Sequence, residues 1–163
     1  MRVFSPAIHV YSVSSLTPDF LSQNGIDSLL LDVDCTLKRY VCTELEPASE
    51  VWLDQMRRCG INLCLVSNGK PGRIGQFARS LDLPFCAMAM KPLPSGLKRA
   101  IREQNWDKGR TAMVGDQIFA DIMAANLAGI VSILVDPIHP EEEPWFTKLK
   151  RPFERFFRGK AQL

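Results

Sequence analysis

The chain has 163 residues, 46% of them hydrophobic, and a formal net charge of +2. That fits one globular domain with its own core, and the net charge by itself gives no sign of a nucleic-acid binder, so none is expected. Its five cysteines (Cys35, Cys42, Cys59, Cys64, Cys86) are odd in number and include no C-x-x-C pair, which points to reduced thiols and a cytoplasmic setting. Met1 to Tyr11 mixes Ser, Pro and His into its apolar residues, so no signal peptide is expected, and no later run is long enough for a transmembrane helix.

Residues 1–27 read as a lead-in segment: Thr17-Pro18-Asp19 offers a cap and a first-turn proline, Phe20-Leu21 begin a short helix, and Asn24-Gly25 stops it. Ser28 to Leu31 is an apolar strand that runs into Asp32-Val33-Asp34-Cys35-Thr36-Leu37. After a polar connection, Glu46-Pro47 to Arg58 reads as a helix closed by Gly60, and Ile61 to Ser67 as the second strand. A helix over Arg73 to Leu83, a strand over Phe85 to Met90 and a helix over Ser95 to Trp106 follow. Thr111 to Asp116 is the fourth strand, Ile118 to Leu127 a helix ended by Gly129, and Val131 to Asp136 the fifth strand. This alternation over residues 28–138 predicts an α/β fold, Rossmann-like and doubly wound. Its mainly parallel five-stranded sheet would carry helices on both faces and no cap domain.

In such a sheet, ligands bind beyond the carboxyl ends of the strands, and the polar residues collect there. Strand side chains alternate, so Asp32 and Asp34 leave one face roughly 6 to 7 Å apart. The second strand ends in Ser67-Asn68-Gly69-Lys70-Pro71-Gly72, a small polar turn whose hydroxyl and amides can hold a phosphate. The third delivers Lys91-Pro92, with the proline biasing the lysine backbone toward an extended form. The fourth ends in Gly115-Asp116, followed by Asp121 in the first turns of a helix. Asp32, Asp34, Asp116 and Asp121 bring four negative charges together and Lys91 offsets one, so a divalent cation and a shared proton are expected. Oxygen donors without histidine or cysteine favour magnesium over zinc.

These motifs, in this order, resemble the phosphatase branch of the haloacid dehalogenase superfamily, subfamily III A. The resemblance implies a phosphomonoester hydrolase working through an aspartyl-phosphate. Asp32 would be the nucleophile and Asp34 the general acid and base. Ser67, Asn68 and Gly69 would bind the phosphoryl group with Lys91. Mg2+ would be held by Asp32, Asp116 and the Asp34 backbone carbonyl, with Asp121 and Thr36 behind them. Cys35 stands where the family more often has glycine or a small polar residue.

Only one helix and one strand separate Asp34 from Ser67, and again Ser67 from Lys91, so no cap domain is expected in either interval. An open site suits a large or surface-embedded substrate. Residues 139–163 form a basic amphipathic tail, in which Trp145, Phe146, Leu149, Phe153, Phe156 and Phe157 would share one face of a helix opposite Lys148, Arg151, Arg155 and Arg158. This is the composition of a membrane-surface helix, and equally of aromatics packed on the domain beneath a solvated basic face. Leu30 to Leu37, Gly115-Asp116-Gln117 and Lys148-Leu149-Lys150-Arg151 resemble the phosphatidylglycerophosphate phosphatase group. That implies a glycerophospholipid substrate, phosphatidylglycerol as product, and peripheral contact of residues 145–160 with an anionic membrane on its cytoplasmic face. The alternatives are a phosphatase of a soluble or macromolecular ester and a catalytically idle phosphate-binding scaffold.

Overall fold

Apolar runs bounded by glycine and proline become the strands and helices of a three-layer sandwich. The computed structural model describes residues 3–142 and Pro152. The tail expected over 139–163 therefore lies, from 143 onward and apart from Pro152, outside the described residues. Strands β1 (Ile8–Val10), β2 (Ser28–Leu31), β3 (Asn62–Val66), β4 (Phe85–Cys86), β5 (Thr111–Gly115) and β6 (Val131–Val135) form one six-stranded sheet in the order β1-β6-β5-β2-β3-β4. Every pairing is parallel. The sheet has one strand more than the five expected: the lead-in segment supplies β1, which pairs Ile8 with Ile133 and Val10 with Val135.

Helix α1 (Pro18–Gln23) is capped by Thr17, whose hydroxyl accepts from the Phe20 amide. Helices α2 (Pro47–Arg58) and α3 (Pro71–Ser80) each start on a proline in the first turn. The last two helices are α4 (Ser95–Glu103) and α5 (Met123–Ala128), the latter closed by Gly129 in the left-handed region. Strand residues alternate between two cores. Leu29, Leu31, Leu63, Leu65, Ala112 and Val114 pack with Leu21, Trp52, Leu53, Met56, Ile74 and Phe77 of α1, α2 and α3. Leu30, Cys64, Val66 and Met113 pack with Leu97, Ala100, Ile101, Ala124 and Ala125 of α4 and α5. Both faces are therefore covered, as the unbroken apolar strands require.

Two elements differ from the sequence reading. The strand expected over Phe85 to Met90 stops at Cys86, because Met88 and Met90 take left-handed backbone angles (φ 46 and 58). The helix expected from Ile118 opens instead as a π-turn, Ile118–Ile122, before α5. Between β2 and β3, α2 is the single helix, and no further domain intervenes among the described residues. No helix among them is long and apolar enough to cross a membrane.

Candidate active site

Strand order reverses at β2, whose neighbours are β3 and β5, and the chemistry-bearing residues gather at its carboxyl end, as open α/β sheets favour. The Asp32 amide still donates to the Val114 carbonyl at 2.9 Å, so the strand geometry extends to that residue. Beyond it the chain turns sharply: Cys35 has φ 63, and its amide donates to the Lys38 carbonyl at 2.8 Å. This left-handed position suits glycine, which accounts for the residue type usual there.

The centre of the site is Lys91. Its Nζ donates to Asp32 Oδ1 at 2.7 Å, to Asp121 Oδ1 at 2.6 Å and to the Val66 carbonyl at 3.0 Å, filling its donor capacity. The lysine side chain is 3% exposed and that of Asp121 1%. Asn68 holds the lysine backbone from both sides, donating to the Lys91 carbonyl at 2.9 Å and accepting from the Lys91 amide at 2.8 Å. The Asn68 side chain thus holds Lys91 in place. Gly96 allows the loop before Lys91 to sit against α4, since a Cβ there would come within 2.3 Å of the Ala89 carbonyl oxygen. The π-turn carries Asp121 inward, and its Oδ2 accepts from the Gln117 amide at 3.1 Å. Gly115 makes room for it.

Asp116 is fully buried and accepts from the Thr36 hydroxyl at 3.1 Å. Carboxylate oxygens of Asp32, Asp116 and Asp121 lie within 4.8 Å of one another. Three buried carboxylates beside one ammonium, with oxygen donors alone, fit a hard divalent cation. Ser67 is buried at the end of β3, and its hydroxyl accepts from the Gly69 amide at 3.1 Å.

Asp34 sits in a different environment. Lys38 Nζ donates to its Oδ1 at 2.7 Å, and Arg73 binds both oxygens, Nη1 to Oδ1 at 2.9 Å and Nη2 to Oδ2 at 2.6 Å. The sequence reading missed both cations. With them, four carboxylates face three cations, and a divalent ion would turn the site net positive before a phosphate arrives.

These neighbours set the protonation states. Burial pushes the Asp32 carboxyl up to about 7 against the downward pull of the Lys91 ammonium, with Asp121 adding to the rise. Burial likewise raises Asp121. Burial pulls Lys91 down, but the charges of Asp121 and Asp32 outweigh it and hold the ammonium above the ordinary lysine range. For Asp34, burial pushes up, and the hydrogen bonds from Arg73 and Lys38 more than reverse it, leaving the carboxyl below its ordinary value.

Comparisons with known proteins agree with this geometry. The chain is 29% identical over 154 residues to the probable phosphatase YqeG of Bacillus subtilis (strain 168), covering 94% of this chain and 89% of that protein. Its fold matches the crystal structure of an uncharacterized protein from Listeria monocytogenes serotype 4b with a TM-score of 0.58 at 18% identity, over 73% of this chain and 85% of the other. It matches the 4-nitrophenylphosphatase of Thermotoga maritima equally well, at 0.58 and 13% identity, over 72% and 89%. The family model described as haloacid dehalogenase-like hydrolase matches residues 21–129, a span that takes in Asp32, Asp34, Ser67, Lys91, Asp116 and Asp121, and the chain belongs to that hydrolase family.

Proposed function

We propose that the chain is a phosphatase that hydrolyses phosphomonoesters in two steps through Asp32, with phosphatidylglycerophosphate as its substrate. The observation that carries the reaction type is the buried Lys91 bridging Asp32 and Asp121 beside Asp116. A lysine held between two carboxylates at a strand end keeps one of them ionised and aimed at an incoming phosphoryl group. Asp34, held ionised at rest by Arg73 and Lys38, first takes up a proton from solvent. The Asp32 carboxylate then attacks phosphorus, the bond to the leaving oxygen breaks, and Asp34 passes its proton to that oxygen. In the second step Asp34 takes a proton from water as the water oxygen attacks phosphorus, releasing inorganic phosphate and restoring Asp32. Ser67 and the amides of the turn after it bind the phosphoryl oxygens. Asp32, Asp116 and the Asp34 carbonyl would hold magnesium, with Thr36 and Asp121 fixing the carboxylates. When bound, the ion supplies Lewis-acid stabilisation of the phosphoryl charge.

The lipid substrate is supported by the lack of a cap domain among the described residues and by the rim of the site. Tyr40, Val41, Met88, Met90 and Leu93 are exposed and lie in the loops that follow β2 and β4, at the same carboxyl end of the sheet as Asp32. Such a rim suits a substrate embedded in an apolar surface. Residues 145–160 would add contact with an anionic membrane, a reading that rests on their sequence pattern.

The test is magnesium-dependent phosphate release from phosphatidylglycerophosphate vesicles and from soluble phosphomonoesters, by the intact protein and by Asp32→Asn. Release from the vesicles that the substitution abolishes is the expected result. Release from soluble esters alone would overturn the lipid assignment, and no release from any of them would overturn the phosphatase reading.

A further inference from the structure

Asp34 is largely covered as the site stands. Arg73 bonds both of its oxygens and Lys38 shares Oδ1, so three of its acceptor positions are taken. Its side chain is 17% exposed, and displacing one of the two cations opens it further to a leaving oxygen. They are not equally displaceable. Lys38 is 4% exposed and also donates to the carbonyls of Arg39 and Cys42, at 3.2 and 2.7 Å. The Arg73 side chain is 49% exposed and leans over Gly69, where a Cβ would stand 2.6 Å from its Nη2. Arg73 is the partner that moves.

A guanidinium that leaves a bidentate carboxylate gains most by taking another planar or tetrahedral anion, which its fork of donors fits better than water does. A cavity of about 740 Å³ opens beside Arg73 and Lys38 and runs between α2 and α3, walled by Val33, Tyr40, Leu45, Ile74 and Phe77. The part of the substrate beyond the leaving oxygen therefore has room on the side where Arg73 stands. Resting on the phosphatase reading above, we infer that Arg73 is a specificity-determining residue. It exchanges Asp34 for a second anionic group, a phosphodiester or carboxylate, carried by the leaving alcohol next to the scissile ester. Substrate binding and the unmasking of Asp34 are then one event, and esters without the second charge leave the acid covered.

The experiment compares glycerol 3-phosphate with the same ester carrying a methyl phosphodiester on its C1 hydroxyl. The intact protein should favour the second by about 10- to 100-fold in kcat/KM, the range of one or two charge-assisted hydrogen bonds. Arg73→Gln should bring that ratio close to one, and Arg73→Lys should restore part of it. A third ester with a dodecyl group in place of the methyl separates a lipid-borne anion, for which it gains further, from a free one, for which it does not. A wild-type ratio near one, or a ratio that Arg73→Gln leaves unchanged while both esters are cleaved, overturns the assignment and keeps the phosphatase reading. Failure to cleave any ester overturns both. Should Arg73→Gln fail to fold, inhibition of the intact protein decides: glycerol bearing the methyl phosphodiester must inhibit at concentrations at least tenfold below plain glycerol, and equal inhibition by the two refutes the role.

Discussion

Replacing Gly115 by alanine tests the buried charge centre with a single methyl. The new Cβ would lie 2.3 Å from both Cγ and Oδ2 of Asp121 and 2.6 Å from its Cβ. Ordinary contact begins near 3.4 Å, so the aspartate has to retreat by about 1 Å. It has no slack to do so, because Oδ1 is bonded to Lys91 at 2.6 Å and Oδ2 to the Gln117 amide at 3.1 Å. Moving it either breaks the bond to Lys91 or drags the ammonium away from Asp32. Misplacement on this scale costs on the order of 100-fold in rate, and overpacking costs about 1–3 kcal/mol of stability. Magnesium-dependent phosphate release and urea unfolding of Gly115→Ala measure the two effects. Turnover within about twofold of the parent protein together with an unchanged unfolding midpoint would refute the reasoning.

Lys91→Met leaves Asp32 and Asp121 buried without their shared cation, and should destabilise the protein by about 3–5 kcal/mol at pH 8. The loss shrinks at pH 5, where the carboxylates take up protons, and denaturant titrations at the two pH values check it. In the metal-free protein, the Asp32 carboxyl is raised from 3.8 to about 7, so the native state binds this proton more tightly than the unfolded chain does. The stability it contributes is complete below pH 3.8 and is lost as pH rises to about 7. Asp32→Asn removes that slope, so the melting temperature of the parent relative to the variant should fall across this window. A flat difference would refute the assignment.

Much of this was legible because the relevant residues announce themselves by type and place. Leu29 to Leu31, Leu63 to Val66 and Ala112 to Val114 are apolar runs that only a sheet covered on both faces would bury, and Asp32, Ser67 and, after Gly115, Asp116 follow them. β1 was illegible because Ile8–Val10 has three residues, one of them a histidine, and its strand character depends on β6 lying beside it. The chain after Cys86 continues as an unbroken apolar run, Ala87 to Met90, yet the loop that delivers Lys91 takes left-handed angles no pattern records. The π-turn at Ile118–Ile122 uses ordinary helix-forming residues, so its extra residue per turn has no compositional signature. Lys38 and Arg73 look like solvated cations in the sequence. One signal did exist for Arg73: it falls in the first turn of α3, where the helix dipole disfavours positive charge, and a cation there implies an anion close by.

The two helical layers of the sandwich have unequal claims on the two aspartates. Lys91 arrives on the loop into α4 and Asp121 on the turn into α5, so the environment of Asp32 is inherited from the layer packed on Leu30, Val66 and Met113. Lys38 lies on the way to α2 and Arg73 within α3, so the environment of Asp34 belongs to the layer packed on Leu29, Leu31 and Leu65. Attack and protonation thus draw on different bodies of packing, which touch where the Met88 amide in the loop to Lys91 donates to the Gly69 carbonyl at 3.0 Å, beside Arg73. Core changes in α4 or α5 should alter the first half of the reaction while sparing recognition of the leaving group, and drift in α2 or α3 can remodel what is cleaved without disturbing how it is attacked.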